Sequence, residues 1–100
     1  MATLMQPDGK VELVFPSDHK KFTLDEVRTL VGAPNGMCWV EKVNLPKGAE
    51  WDGYKPKFML VDEEGLLKRD VLEPNINAMN IDGDRRLIVG NALLVYGGEF

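Results

Sequence analysis

Hydrophobic and polar residues alternate through Val11-Glu12-Leu13-Val14-Phe15, a spacing that places Val11, Leu13 and Phe15 on one face of a half-buried strand. Upstream, Thr3 to Met5 is separated from it by Gln6-Pro7-Asp8-Gly9, where Pro7 presets φ and Gly9 accepts a positive one. The two runs predict an opening β-hairpin, ended by Pro16. After a polar link the period changes. Leu24, Val27, Leu30 and Val31 recur at helical spacing behind Thr23-Leu24-Asp25-Glu26, a capping box in which Thr23 accepts from the backbone near Glu26 and Glu26 reaches back. Acidic residues sit in the first turn, where the helix dipole favours them, Phe22 can staple onto Val27, and Gly32 follows as the C-cap. An amphipathic helix from about Leu24 to Val31 is predicted.

Ala33-Pro34-Asn35-Gly36 predicts a turn, and Met37 to Val43, carrying Cys38 and Trp39, predicts a strand. A long loop from Asn44 to Lys57 contains Pro46, Gly48, Gly53 and Pro56, with Trp51 and Tyr54 among charged residues. Phe58 to Val61 predicts a strand that turns at Asp62-Glu63-Glu64-Gly65, with Gly65 in the left-handed region, and returns through Leu66-Leu67-Lys68. Glu73-Pro74-Asn75 predicts entry to a brief helical turn through Met79, Pro74 taking the first helical position, followed by a loop from Asn80 to Asp84. Arg86 to Val89 and Ala92 to Tyr96 predict closing β structure around Gly90-Asn91, either a two-residue hairpin turn or a bulge. The sum is one α+β domain over residues 1–100: a small, mostly antiparallel sheet of about five to six short strands, with one clear helix, and room for a short second helix, packed on one face.

Composition narrows the function classes. Twelve Lys and Arg against sixteen Asp and Glu leave a net charge of −4, the wrong sign for a general nucleic-acid binder, whose affinity comes from cations displacing counterions. The basic pairs Lys20-Lys21, Lys68-Arg69 and Arg85-Arg86 read as solvated turn and strand-end residues. No apolar stretch approaches the roughly 20 residues of a membrane span, so no membrane association is expected. The N-terminus lacks the basic start and apolar region of a secretory signal, which predicts a cytosolic address. With Cys38 as the one cysteine, an internal disulfide and a thiolate metal site are excluded within one chain.

Candidate chemistry is sparse, and no catalytic residue, cofactor or metal is predicted. Ser17, Asp18 and His19 are consecutive, so on an extended segment they point to alternating sides rather than in series. Cys38 reads as a small buried hydrophobe. Asn80, Asp82 and Asp84 imitate alternate ligands of a calcium loop, but Arg85 stands where Gly is needed and Asn91 where the bidentate Glu belongs. Asp62-Glu63-Glu64 reads as a solvated turn, and neither glycine-rich phosphate cradle occurs. Two binding candidates remain. Trp51, Asp52 and Tyr54, with Glu50, lie in a long loop of the kind that often carries function, and Trp and Tyr dominate interface hot spots, with Asp52 and Glu50 placed to meet basic residues; covering the sheet is the competing role for Trp51. Asn75, Asn77 and Asn80 could line a small-ligand pocket, their amides both donating and accepting, or serve as cap and turn residues.

The segments Phe58 to Leu66, Glu73-Pro74-Asn75 with Asn77-Ala78-Met79, and Ile88-Val89-Gly90-Asn91-Ala92-Leu93-Leu94-Val95 together resemble the small phage and mobile-element family known as domain of unknown function 3846. The resemblance covers about residues 22 to 95 and marks Asp62, Glu64, Gly65, Asn75 and Gly90 as family-like positions without assigned roles. It implies a phage, prophage or plasmid origin and a bacterial cytoplasm as the working place. The expected function is a non-enzymatic protein that binds and modulates, even inhibits, a host defence or regulatory protein. The alternative is a binder of a nucleotide-like signal, with a homo-oligomer holding the site between chains.

Overall fold

The computed structural model describes residues 1–83 and 86–100. Strands β1 (Ala2–Met5) and β2 (Val11–Val14) form the expected opening hairpin, and three more strands, β3 (Val40–Asn44), β4 (Phe58–Asp62) and β5 (Ala92–Val95), complete an antiparallel sheet in the order β2-β1-β5-β4-β3. The last strand therefore lies at the centre, with Leu93 opposite both Leu4 and Leu60. Helix α1 (Leu24–Gly32) packs on one side and α2 (Ile76–Asp82) on the other.

Period two sorts the strands between two cores. Ala2, Leu4, Leu60, Leu93 and Val95 meet Val27 and Val31 of α1, together with Phe22 and Cys38. Met5, Met59, Val61, Ala92 and Leu94 meet Ala78 and Ile81 of α2, with Val43 and Ile88 beside them. A sheet covered on both faces explains why β4 and β5 read as unbroken apolar runs rather than as alternation. It also extends the expected one-sided packing: α1 is the main cover, and the short second helix closes the opposite face.

Local chemistry shapes α1 as expected. The Glu26 backbone N–H donates to Thr23 Oγ1 at 3.1 Å, and Glu26 Oε1 accepts the Thr23 N–H at 2.9 Å while Oε2 accepts that of Ser17 at 3.0 Å. These donors hold the Glu26 carboxyl below its ordinary pKa. Phe22 and Val27 are buried together, as the staple requires. Two details differ. Leu24 is exposed, and Gly32 ends the helix without adopting a left-handed φ. Its reason is space: a Cβ there would stand 2.9 Å from the Cys38 backbone nitrogen, where the chain crosses back under α1.

Other corrections have physical causes. Leu66-Leu67-Lys68 does not return as a strand; Gly65–Lys68 is a 3₁₀ turn, and Gly65 is buried outside the left-handed region. Both neighbours of β4 are already occupied by β3 and β5, and Asp62 curls the segment by accepting the Glu64 N–H and the Lys68 ammonium, each at 2.9 Å. Cys38 and Trp39 precede β3 rather than lie in it, because the Cys38 N–H donates to Arg28 of α1. Residues 86–89 are not a strand but carry one bridge, Val89 to Pro74. Asn75, not Pro74, begins the helix by capping it, and α2 runs on through Asn80, Ile81 and Asp82, which the sequence places in a loop. Asp82 is buried beside Arg86, whose Nε stands 2.9 Å from Oδ2 as an ion pair, though neither carboxylate oxygen accepts a well-directed hydrogen bond among the described residues. Asp84 and Arg85, which belong to the calcium-loop imitation and to one basic pair, lie outside the described residues.

Gly90-Asn91 is neither hairpin turn nor bulge. Gly90 takes φ +77 at the entrance to β5, and Asn91 Nδ2 donates to the Leu30 and Ala33 carbonyls at 3.0 and 3.1 Å, closing the C-terminus of α1. Asn75 performs the matching task on the other face. It is fully buried, its Nδ2 donates to the carbonyls of Met5 (2.9 Å) and Gly90 (2.8 Å), and its Oδ1 accepts the Ala78 N–H.

Asn75→Ala strips two buried carbonyls of a donor and removes a helix cap, so it is expected to cost about 3 kcal/mol or more in urea unfolding. Asn75→Asp keeps the cap acceptor but turns a carboxylate toward the same carbonyls, and is expected to recover little of that loss.

Candidate functional site

The loop between β3 and β4 is organised around a closed turn. The Trp51 N–H donates to the Tyr54 carbonyl at 2.8 Å and the Tyr54 N–H to the Trp51 carbonyl at 2.9 Å, with Asp52 at φ +51 and Gly53 at φ +84 between them. Two consecutive left-handed residues define a type I′ turn; Asp tolerates that region and Gly occupies it without strain.

Trp51 does take the competing role of covering the sheet. Like Leu45, Ala49, Met79 and Tyr96, it packs against the α2-side core, and it keeps a minor part of its surface exposed. Tyr54 is 56% exposed, and its ring meets Tyr96 edge-on, centroids 5.9 Å apart at 66°. Tyr96 is oriented by a 2.7 Å hydrogen bond between its hydroxyl and Thr3 Oγ1 in β1. Burial pushes the Tyr96 phenol above its ordinary pKa, which the bond to Thr3 only partly offsets. The chain end is tied in as well: the Glu99 carboxylate accepts the Tyr96 and Gly97 N–H groups, and the Glu99 carbonyl accepts that of Phe22.

Trp51, Asp52, Tyr54 and Tyr96 line a cleft of about 280 Å³ together with Met1, Thr3, Val11 and Leu13. Here the structure departs from the expected half-buried face of β2. Leu13 is 57% and Phe15 62% exposed, and Val11 is exposed too, whereas Val14 on the opposite face is partly buried. The reason is position: β2 is an edge strand, and neither helix extends over this face of it. A second groove, of about 600 Å³, runs between Leu13, Val14 and Phe15 and the Phe22, Asp25 and Leu30 side of α1.

The backbone of β2 has the same bias. The Gln6 N–H donates to the Lys10 carbonyl, so the alternation of an antiparallel ladder turns Glu12 and Val14 toward β1 and points the N–H and C=O groups of Val11 and Leu13 away from the sheet. The other edge, β3, exposes Glu41 and Lys42, charges of the kind that deter strand pairing. β2 carries Glu12 alone.

Of the residues singled out by sequence, Trp51, Asp52 and Tyr54 converge on the cleft, while Glu50 is exposed beside it without lining it. The asparagines do not converge: Asn75 is sealed in the core with both amide hydrogens spent, Asn77 is half-buried and Asn80 exposed. Thr3, Val11 and Leu13 join the site from β1 and β2, and Tyr96 from just after β5. The alternation in β2 was the one visible signal, and it cannot distinguish a buried face from an exposed one.

Elsewhere, Asp18 accepts the backbone N–H groups of Lys20 and Lys21, organising its own turn. Cys38 is buried and its thiol is pushed up in pKa by burial, as for a packed side chain. Among the described residues no cluster of three metal-ligating side chains occurs, and no helix is long and apolar enough to cross a membrane. No family model, no curated protein and no solved structure matches the chain.

Two outcomes are expected. Trp51→Ala loses core packing and is expected to lower unfolding free energy by about 2 kcal/mol, against about 1 kcal/mol or less for Tyr54→Ala, measured by denaturant titration. Because the Tyr96 phenol has a raised pKa in the fold, its contribution is complete below pH 10 and is lost as pH rises through the folded value. Thermal melts at increasing alkaline pH should fall more steeply for the wild type than for Tyr96→Phe.

Proposed function

We propose that the chain is a non-enzymatic, protein-binding module of phage or mobile-element origin that works in the bacterial cytoplasm by occupying a host defence or regulatory protein. The observation that carries this reading is the unguarded apolar edge of β2, lying against the aromatic turn at Trp51 and Tyr54. An extended segment of a partner can add to β2, satisfying the outward N–H and C=O groups of Val11 and Leu13 while covering Leu13 and Phe15. Trp51 and Tyr54 then supply large, rigid anchors beside that strand. Occupation of the partner's surface would itself block or redirect it, with no chemistry needed. The phage origin rests on the resemblance of the 58–66, 73–79 and 88–95 segments.

Tagged wild-type chain and Leu13→Lys are compared for capture from bacterial lysate, with denaturing mass spectrometry and absorbance on the eluates. Leu13 is exposed, so the variant should melt with the wild type. One stoichiometric host protein, recovered at least about tenfold less with Leu13→Lys, is the expected result. Equal recovery, or a stoichiometric nucleotide in place of a protein, overturns the reading.

A further inference from the structure

Two aromatic side chains of this protein already hold a cation of their own. The Arg28 guanidinium lies 4.0 Å from the Trp39 ring centroid, and the Lys42 ammonium 4.8 Å from that of Phe58. The cleft beside β2 has three aromatic rings, Trp51, Tyr54 and Tyr96, and the Asp52 carboxylate. Among the described residues, no lysine or arginine stacks on those three rings or pairs with Asp52. We propose that this cleft is a receptor for the cationic end of a basic side chain, guanidinium or alkylammonium, carried by the docked partner. The inference builds on the docking reading above by assigning what the partner inserts.

Five features support it. The site is preorganised: Trp51 and Tyr54 are locked by two mutual backbone hydrogen bonds, and Tyr96 is held by Thr3. Ring faces attract a cation through their quadrupole, most strongly when water is excluded, and the apolar Val11 and Leu13 wall helps to exclude it. The volume, about 280 Å³, is small for a free metabolite but ample for a side-chain tip. Asp52 adds the complementary charge in a chain of net charge −4. Position completes the case. Val11 and Leu13 both wall the cleft and offer the free strand edge, so a strand added about 4.8 Å beyond β2 has the cleft within reach of an arginine or lysine side chain.

The test uses Trp39→Phe as background, leaving Trp51 as the one indole, and follows its fluorescence and indole N–H resonance. The probes are N-acetyl-L-arginine amide, its uncharged near-isostere N-acetyl-L-citrulline amide, and choline. Saturable binding of the arginine amide is expected, at least about tenfold weaker for the citrulline amide. Tyr54→Leu should weaken the arginine amide about tenfold, and Asp52→Asn about fivefold, the latter without disturbing the turn because Asn tolerates a positive φ. Melting temperatures establish that both variants remain folded. Absence of saturable binding, equal binding of the citrulline amide, or wild-type affinity in both variants overturns the proposal. Choline binding without arginine-amide binding overturns the assignment to a protein side chain and points to a free quaternary ammonium compound. Lysate capture that depends on Leu13 survives any of these failures, so the two readings fall separately.

Discussion

The side-chain amide of Asn75 joins three parts of the chain that are far apart in sequence. From a fully buried position it donates to the carbonyl that ends β1 and to that of Gly90 before β5, and its oxygen starts α2. Buried carbonyls without donors are costly, so these bonds fix where the last strand enters the sheet. Asn91 repeats the arrangement on the other face, closing the carbonyls at the end of α1. Two asparagines at one end of β5 therefore register both helices against the central strand. A helix as short as α2, burying only Ala78, Ile81 and Asp82, needs such an anchor, because its apolar face alone is too small to hold it.

Placing the last strand in the centre has a consequence at the edges. Apolar residues concentrate on β1, β5 and β4, which are covered on both sides, and the two helices are used up in covering them. What remains for β2 is a face that neither helix covers. Fully burying a Leu or Phe is worth about 1.5 to 3 kcal/mol, so exposed Leu13 and Phe15 represent stabilisation the fold leaves unused. The opposite edge shows that this is not simply what edge strands look like: Glu41 and Lys42 charge β3 as edges ordinarily are. The asymmetry sits on the one edge that adjoins three aromatic rings.

Features decided within a few residues were legible in the sequence. The capping box at Thr23 and Glu26, the staple at Phe22, the Pro7-Asp8-Gly9 turn and the apolar runs of β4 and β5 depend on local hydrogen bonds and local period. Features decided by competition between distant segments were not. Whether Leu66 to Lys68 pairs as a strand depends on whether β4 has a free side, and β5, some thirty residues on, takes it. Gly32 has the residue type of a left-handed cap, but the reason for it is the backbone of Cys38 crossing close by. Asn75 was read as either cap or ligand contact; its partners Met5 and Gly90 are what decide between them. For the site, sequence located Trp51, Asp52 and Tyr54 but not the cleft, because Thr3 and Tyr96 meet across almost the full length of the chain.

The aromatic turn has the rigidity that the proposed docking calls for. A type I′ turn forces Asp52 and Gly53 into left-handed conformations and points Trp51 and Tyr54 from a rigid base. Trp51 spends part of its ring on the core, so its exposed remainder cannot swing away, and Tyr54 is braced against Tyr96. Association ordinarily costs about 0.5 to 1.5 kcal/mol for each flexible side chain it immobilises, a cost these residues have met on folding. A loop that were merely long and aromatic would lack this advantage. The anchoring that stabilises Trp51 thus also fixes the exposed part of its ring, so under the proposed docking a partner would meet a surface already in place.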